Sequence, residues 1–95
     1  MSIDFSSVHN AHEQAVFAKT IEAASRDPFF AQRTELLIDA ACVALNALQP
    51  HYIRHAVDRS FYLSDSQLLA AASAIETAVE SALRYVQSRE SQTSP

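Results

Sequence analysis

The sequence predicts a mainly α fold: a small helical domain with three main helices and an extended or short-strand segment before the last. Three observations carry this expectation. Glycine is absent from all 95 residues, so the Asn-Gly and Asp-Gly turns of tight β-hairpins are missing. Three stretches place apolar residues at helical spacing. Each stretch is preceded by a start signal, at Asn10-Ala-His-Glu13, Asp27-Pro28 and Ser64-Asp-Ser-Gln67. The length suits one domain, divided into an arm over 1–7, a helical body over 8–88 and a frayed tail over 89–95.

Taken in order, the arm leads to a helix near 8–25. Asn10 serves as N-cap with Glu13 three residues on, and Ser7 is a competing start. Val8, Ala11, Ala15, Ala18 and Ile21 line one side. Asp27-Pro28 then opens either a separate turn over Phe29 to Arg33 or the central helix directly, and Thr34 is an equal candidate to cap that helix. The central helix, near 34–49, is almost unbroken apolar sequence. Its polar residues Glu35, Asp39, Asn46 and Gln49 fall along one seam, so burial on most of its circumference is expected. Asp39 and Asn46 would then need hydrogen-bond partners, since an unpaired buried polar group costs about 1–3 kcal/mol. Pro50 ends the helix by pushing its predecessor out of the α region.

The segment HYIRHAVDRSFYL has some β character but no clean alternation. It reads first as extended with a short strand pairing and second as a short helix. The last helix, near 65–88, carries Leu68, Ala72, Ile75, Val79, Ala82 and Val86 at steps of 4, 3, 4, 3 and 4. Neighbouring positions are apolar too. That face suits a small helical core or a subunit contact. The preferred expectation is an intertwined or side-by-side homodimer formed through it, with Ile75 and Val79 in the contact.

A net charge of −4 with seven Lys and Arg argues against general nucleic-acid binding. Without glycine there are no phosphate-cradling loops, Rossmann turns or nucleophile elbows, so no enzyme is expected. The single Cys42 allows neither an internal disulfide nor a Cys-based zinc site, and its apolar sequence setting predicts an inert small hydrophobe rather than a reactive thiol. The pairs His9/His12 and His51/His55 read as hydrogen-bonded or solvated imidazoles rather than metal ligands. No cofactor is expected. The absence of a Sec-type leader pattern or a long apolar run predicts a cytoplasmic protein without membrane contact.

One segment concentrates positive charge. His51, Arg54, His55 and Arg59 lie within nine residues, interleaved with Tyr52 and followed by Phe61 and Tyr62. An arginine fork can engage a phosphate or a guanine edge, and aromatic rings offer stacking surfaces. The competing reading is a solvated loop whose arginines pair with Asp58 or with the acidic helices.

The same region carries a family resemblance. Asp39, Ala44, Leu45, Asn46, Leu48, Pro50 and Tyr52, with Asn10, Glu13 and Val16 upstream, resemble the late competence development proteins of the ComFB-like family. The resemblance covers roughly residues 8–88 and gives Asn10, Glu13, Asp39, Asn46 and Pro50 a structural role. Many relatives carry a zinc-binding Cys cluster before the central helix. This chain has Ser25 to Thr34 there, so no metal is carried over, and Pro28, Phe29 and Phe30 are expected to replace the cluster structurally. The resemblance implies a non-catalytic signalling dimer, in some members a receptor for cyclic dinucleotides. The expected ligand is cyclic di-GMP, with Arg54 and Arg59 on phosphates or guanine edges and Tyr52 or Tyr62 stacking. Asp58 would accept from guanine, and His55 would stand nearby. A partner protein would read the signal. The alternative is a ligand-independent homodimeric interaction module linked to competence or motility.

Overall fold

The computed structural model describes residues 2–54 and 64–93. In order, its elements are β1 (His9–Asn10), α1 (Glu13–Arg26), a 3-10 turn (Pro28–Phe30), α2 (Thr34–Ala47), β2 (Tyr52–Ile53) and α3 (Asp65–Thr93). The mainly α class with three helices and a short strand pairing is therefore observed. Of the 51–63 segment, only Tyr52–Ile53 is a described strand; it pairs antiparallel with β1, His9 opposite Ile53 and Asn10 opposite Tyr52.

α1 starts later than the sequence predicts. Its N-cap position is His12, with no side-chain cap bond, and Asn10 is engaged elsewhere. Glu13 in the first turn and Arg26 in the last complement the helix dipole. Val16 and Thr20 turn inward, and the Thr20 hydroxyl donates to the Val16 carbonyl at 2.7 Å, which satisfies it inside the core. Glu22 faces solvent with Lys19 and Arg26 at 3.7 and 3.0 Å; exposed pairs of this kind contribute at most about 0.5 kcal/mol each. The helix stops because Pro28 holds Asp27 in an extended conformation, φ −126° and ψ 110°.

The Asp27-Pro28 signal opens a separate turn, not the central helix. Asp27 Oδ1 accepts from the Phe29 N–H at 3.0 Å, Phe30 is buried, and the two rings meet edge to face at 5.0 Å. Arg33 lies over the Phe29 ring at 4.2 Å and donates to its carbonyl. This apolar, cation-capped knot occupies the approach to α2 where relatives were expected to place their Cys cluster.

α2 departs most from expectation. Thr34 is its first residue, and the N-cap position falls to Arg33 without a side-chain cap. Only Ala40, Ala41 and Ala44 are buried, a narrow stripe whose small side chains allow close helix approach. Ile38 is 60% exposed, and Cys42, which fills the gap in the polar seam, is exposed too. Asp39 and Asn46 are exposed as well, so neither needs an internal partner. α2 ends at Ala47, short of the expected 49, and Leu48 after it is extended at φ −93° and ψ 146°, ahead of Pro50.

Ser64 and Gln67 form the predicted capping box for α3. Ser64 Oγ accepts from the Gln67 N–H at 3.2 Å, and Gln67 Oε1 accepts from the Ser64 N–H at 2.8 Å. α3 packs chiefly along α2 and secondarily on α1. Its buried side chains are Ile75, Val79, Ala82, Leu83 and Val86, which join Val16, Phe30 and the α2 alanines in one core. Ile75 and Val79, expected in a subunit contact, are 2% and 3% exposed within the single chain, so they belong to its own core. Before Ile75 no α3 residue is buried, and Leu69 is 73% exposed. At the other end α3 continues past Ser88, where the tail was expected to fray, to Thr93. The chain spans 52 × 39 × 20 Å, a slab about two helix diameters thick.

Candidate ligand-binding cleft

The strand pair brings the start of α1 against the end of α2, and Asn10 is the joint. It is 9% exposed. Its Oδ1 accepts from the His12 N–H at 3.1 Å and from the His51 N–H at 3.2 Å, the second across 41 residues. A parallel backbone bond runs from the Ala11 N–H to the His51 carbonyl at 2.6 Å. The side chain predicted to cap a helix therefore ties two distant segments together. Because Asn10 is occupied there, Glu13 falls in the first turn of α1 rather than reaching back in a capping box.

Beside this joint lies a cleft of about 320 Å³, lined by Asn10, Glu13, Leu45, Asn46, Leu48, Pro50 and Tyr52. The leucines and Pro50 supply apolar surface. Asn10, Glu13 and Asn46 supply a carboxylate and two carboxamides, and Tyr52, 66% exposed, offers an aromatic face. Among the described residues, Glu13 makes no salt bridge and neither Glu13 nor Asn46 makes a side-chain hydrogen bond. Their polar atoms remain available to a ligand. Arg54 is exposed just beyond β2 and outside the cleft lining.

Of the residues expected to bind ligand, the structure thus places Tyr52 on the cleft and Arg54 beside it in sequence. His55, Asp58, Arg59 and Tyr62 lie outside the described residues. Four residues given a structural role (Asn10, Glu13, Asn46 and Pro50) line the cleft together. Asp39 does not join them; it borders a groove of about 300 Å³ between α2 and α3 with Tyr85, Arg89 and Glu90. The overlooked signal was that the Asn-x-x-Glu and Asn-to-Tyr motifs are polar at positions no helix core requires. His12 and His51 approach with ring centroids 6.5 Å apart, and no group of three or more metal-ligating side chains occurs among the described residues.

A second concavity is apolar. Phe17, Ile21, Leu37, Ile38, Cys42 and Leu45 line most of a groove of about 450 Å³ between α1 and α2. Among the described residues no helix is long and apolar enough to cross a membrane.

No curated protein and no solved structure matches the chain. A family model does, that of the late competence development protein ComFB, over residues 9–90. That span runs from β1 through most of α3 and includes every residue lining the cleft. The chain belongs to the ComFB family of late competence development proteins.

Proposed function

We propose that the protein is a non-catalytic, homodimeric signalling receptor for a cyclic dinucleotide, most specifically cyclic di-GMP, which passes the signal to a partner protein. The observation that carries this reading is the convergence of both motif segments on one polar-and-apolar cleft with Tyr52, two residues before the exposed Arg54. A base needs a stacking face and a hydrogen-bonding edge. A bridging phosphate needs a guanidinium fork, and Arg54 forms no ion pair with another described residue. Isothermal titration calorimetry with cyclic di-GMP, cyclic di-AMP and their linear forms tests the proposal. Saturable heat with a cyclic dinucleotide is expected; no heat with any of them would refute it.

The apolar groove between α1 and α2 favours a second reading, a ligand-independent interaction module linked to competence or motility. Phe17, Ile21 and Ile38 are 41%, 69% and 60% exposed, more apolar surface than isolated surface residues would leave on adjacent helices. Dimerisation and partner binding that persist unchanged in nucleotide-free protein, with no nucleotide affinity, would favour this reading over the first.

A further inference from the structure

We infer that the cleft reads a base edge of the lactam–amidine type, the guanine edge, and that Glu13 determines the selectivity. This inference rests on the cyclic-dinucleotide reading above and adds to it which residue recognises the base. The orientation of Asn10 is the starting point. Both atoms within hydrogen-bond distance of its Oδ1 are backbone N–H donors, so oxygen must face them and the amide cannot be turned over. With the two lone pairs engaged, only the Nδ2 donors remain for the cleft that Asn10 lines. An Asn that is nine-tenths buried thus presents a fixed donor, while Glu13 presents an acceptor without a donor. Asn46 can act in either sense.

Guanine places two N–H donors, on N1 and N2, beside the O6 acceptor. A carboxylate accepts both donors, and a carboxamide N–H donates to O6. Adenine places the N1 lone pair where guanine has N1–H, so its edge would face the Glu13 carboxylate with like polarity. Tyr52 stands opposite Asn10 in the strand register and supplies a stacking face for the bound ring. The volume, about 320 Å³, is at the low end for small-molecule sites, which suits one base with the phosphates outside, towards Arg54.

The test is calorimetry of the full chain and its Glu13→Gln variant with cyclic di-GMP, cyclic di-IMP and cyclic di-AMP. The wild type should bind cyclic di-GMP most tightly. Cyclic di-IMP, which keeps N1–H and O6 but lacks the N2 amine, should fall in between. Glu13→Gln should weaken cyclic di-GMP about tenfold to a hundredfold, the loss typical of a hydrogen bond to a charged group, and bring cyclic di-AMP level with it. Wild-type binding of cyclic di-AMP as tight as cyclic di-GMP would overturn the inference while leaving the receptor reading intact. So would equal cyclic di-GMP affinity in the two proteins. Competition by N-acetyl-arginine methylamide without discrimination among the three nucleotides would also overturn it, because the cleft would then be a guanidinium site. Absence of binding by all three nucleotides would remove the receptor reading itself. The wild-type ranking stands without any variant, so a folding defect in Glu13→Gln cannot shelter the inference.

Discussion

Replacing Asn10 with Ala should destabilise the protein strongly although the residue belongs to neither a helix nor the main apolar core. Its Oδ1 accepts two backbone hydrogen bonds, at 3.1 Å from His12 and 3.2 Å from His51, and the residue is 9% exposed. Each bond contributes about 1 kcal/mol net, and an N–H left buried without a partner costs about 1–3 kcal/mol. His51 is only half-buried, so water can recover part of its loss; His12, 8% exposed, gains less relief. The expected total is about 2–4 kcal/mol, a large fraction of the roughly 5–15 kcal/mol that holds a domain together. For a domain of this size, 1 kcal/mol moves the melting temperature by about 4–8 °C, so a fall of at least about 8 °C should appear in circular dichroism at 222 nm. Amide hydrogen exchange localises the effect. The His12 and His51 N–H groups should exchange faster in the variant even where the helices remain protected. A melting temperature within about 2 °C of wild type, with unchanged exchange at those two amides, would refute the bridging role.

Three further expectations concern other parts of the molecule. Ile75→Ala should cost about 2–5 kcal/mol in urea unfolding, because Ile75 is 2% exposed in the chain's own core; a change below about 0.5 kcal/mol would show that Ile75 is not packed in that core. Arg54→Ala should alter stability by less than about 0.5 kcal/mol but weaken cyclic di-GMP binding by about 1.5–3 kcal/mol. Arg54→Lys should restore only part of that, since a point charge lacks the planar fork; equal affinities for all three proteins would exclude this arginine from binding. The proposed dimer should persist at roughly tens of micromolar, the range a stable interface holds, and Ile21→Glu on the exposed apolar groove should shift sedimentation towards monomer; wild-type protein that sediments as a monomer would end the dimer proposal.

Sequence by itself determined where helices exist and where several of them begin or end, because those signals act within one turn. The Ser64–Gln67 box forms as its spacing requires, Asp27 and Pro28 start a turn, and the backbone is extended before Pro50. The family was legible for the same reason, in short motifs of fixed spacing. Which face of α2 is buried was decided only by the tertiary structure. The polar seam of Glu35, Asp39 and Asn46 marks one exposed edge, but the apolar remainder of the helix does not say which of its other faces packs inward. The Ala40–Ala41–Ala44 stripe is buried because α1 and α3 approach it, leaving Ile38 and Cys42 exposed. The cleft was hidden more deeply. Asn10-Ala-His-Glu13 has the local form of a capping box, and only the antiparallel pairing of residues 9–10 with 52–53 draws the Asn10 oxygen to His51. A hydrogen bond spanning 41 residues leaves no trace in local periodicity. It nevertheless separates Asn10 from Glu13 in role: one braces the backbone, and the other is left facing the cleft.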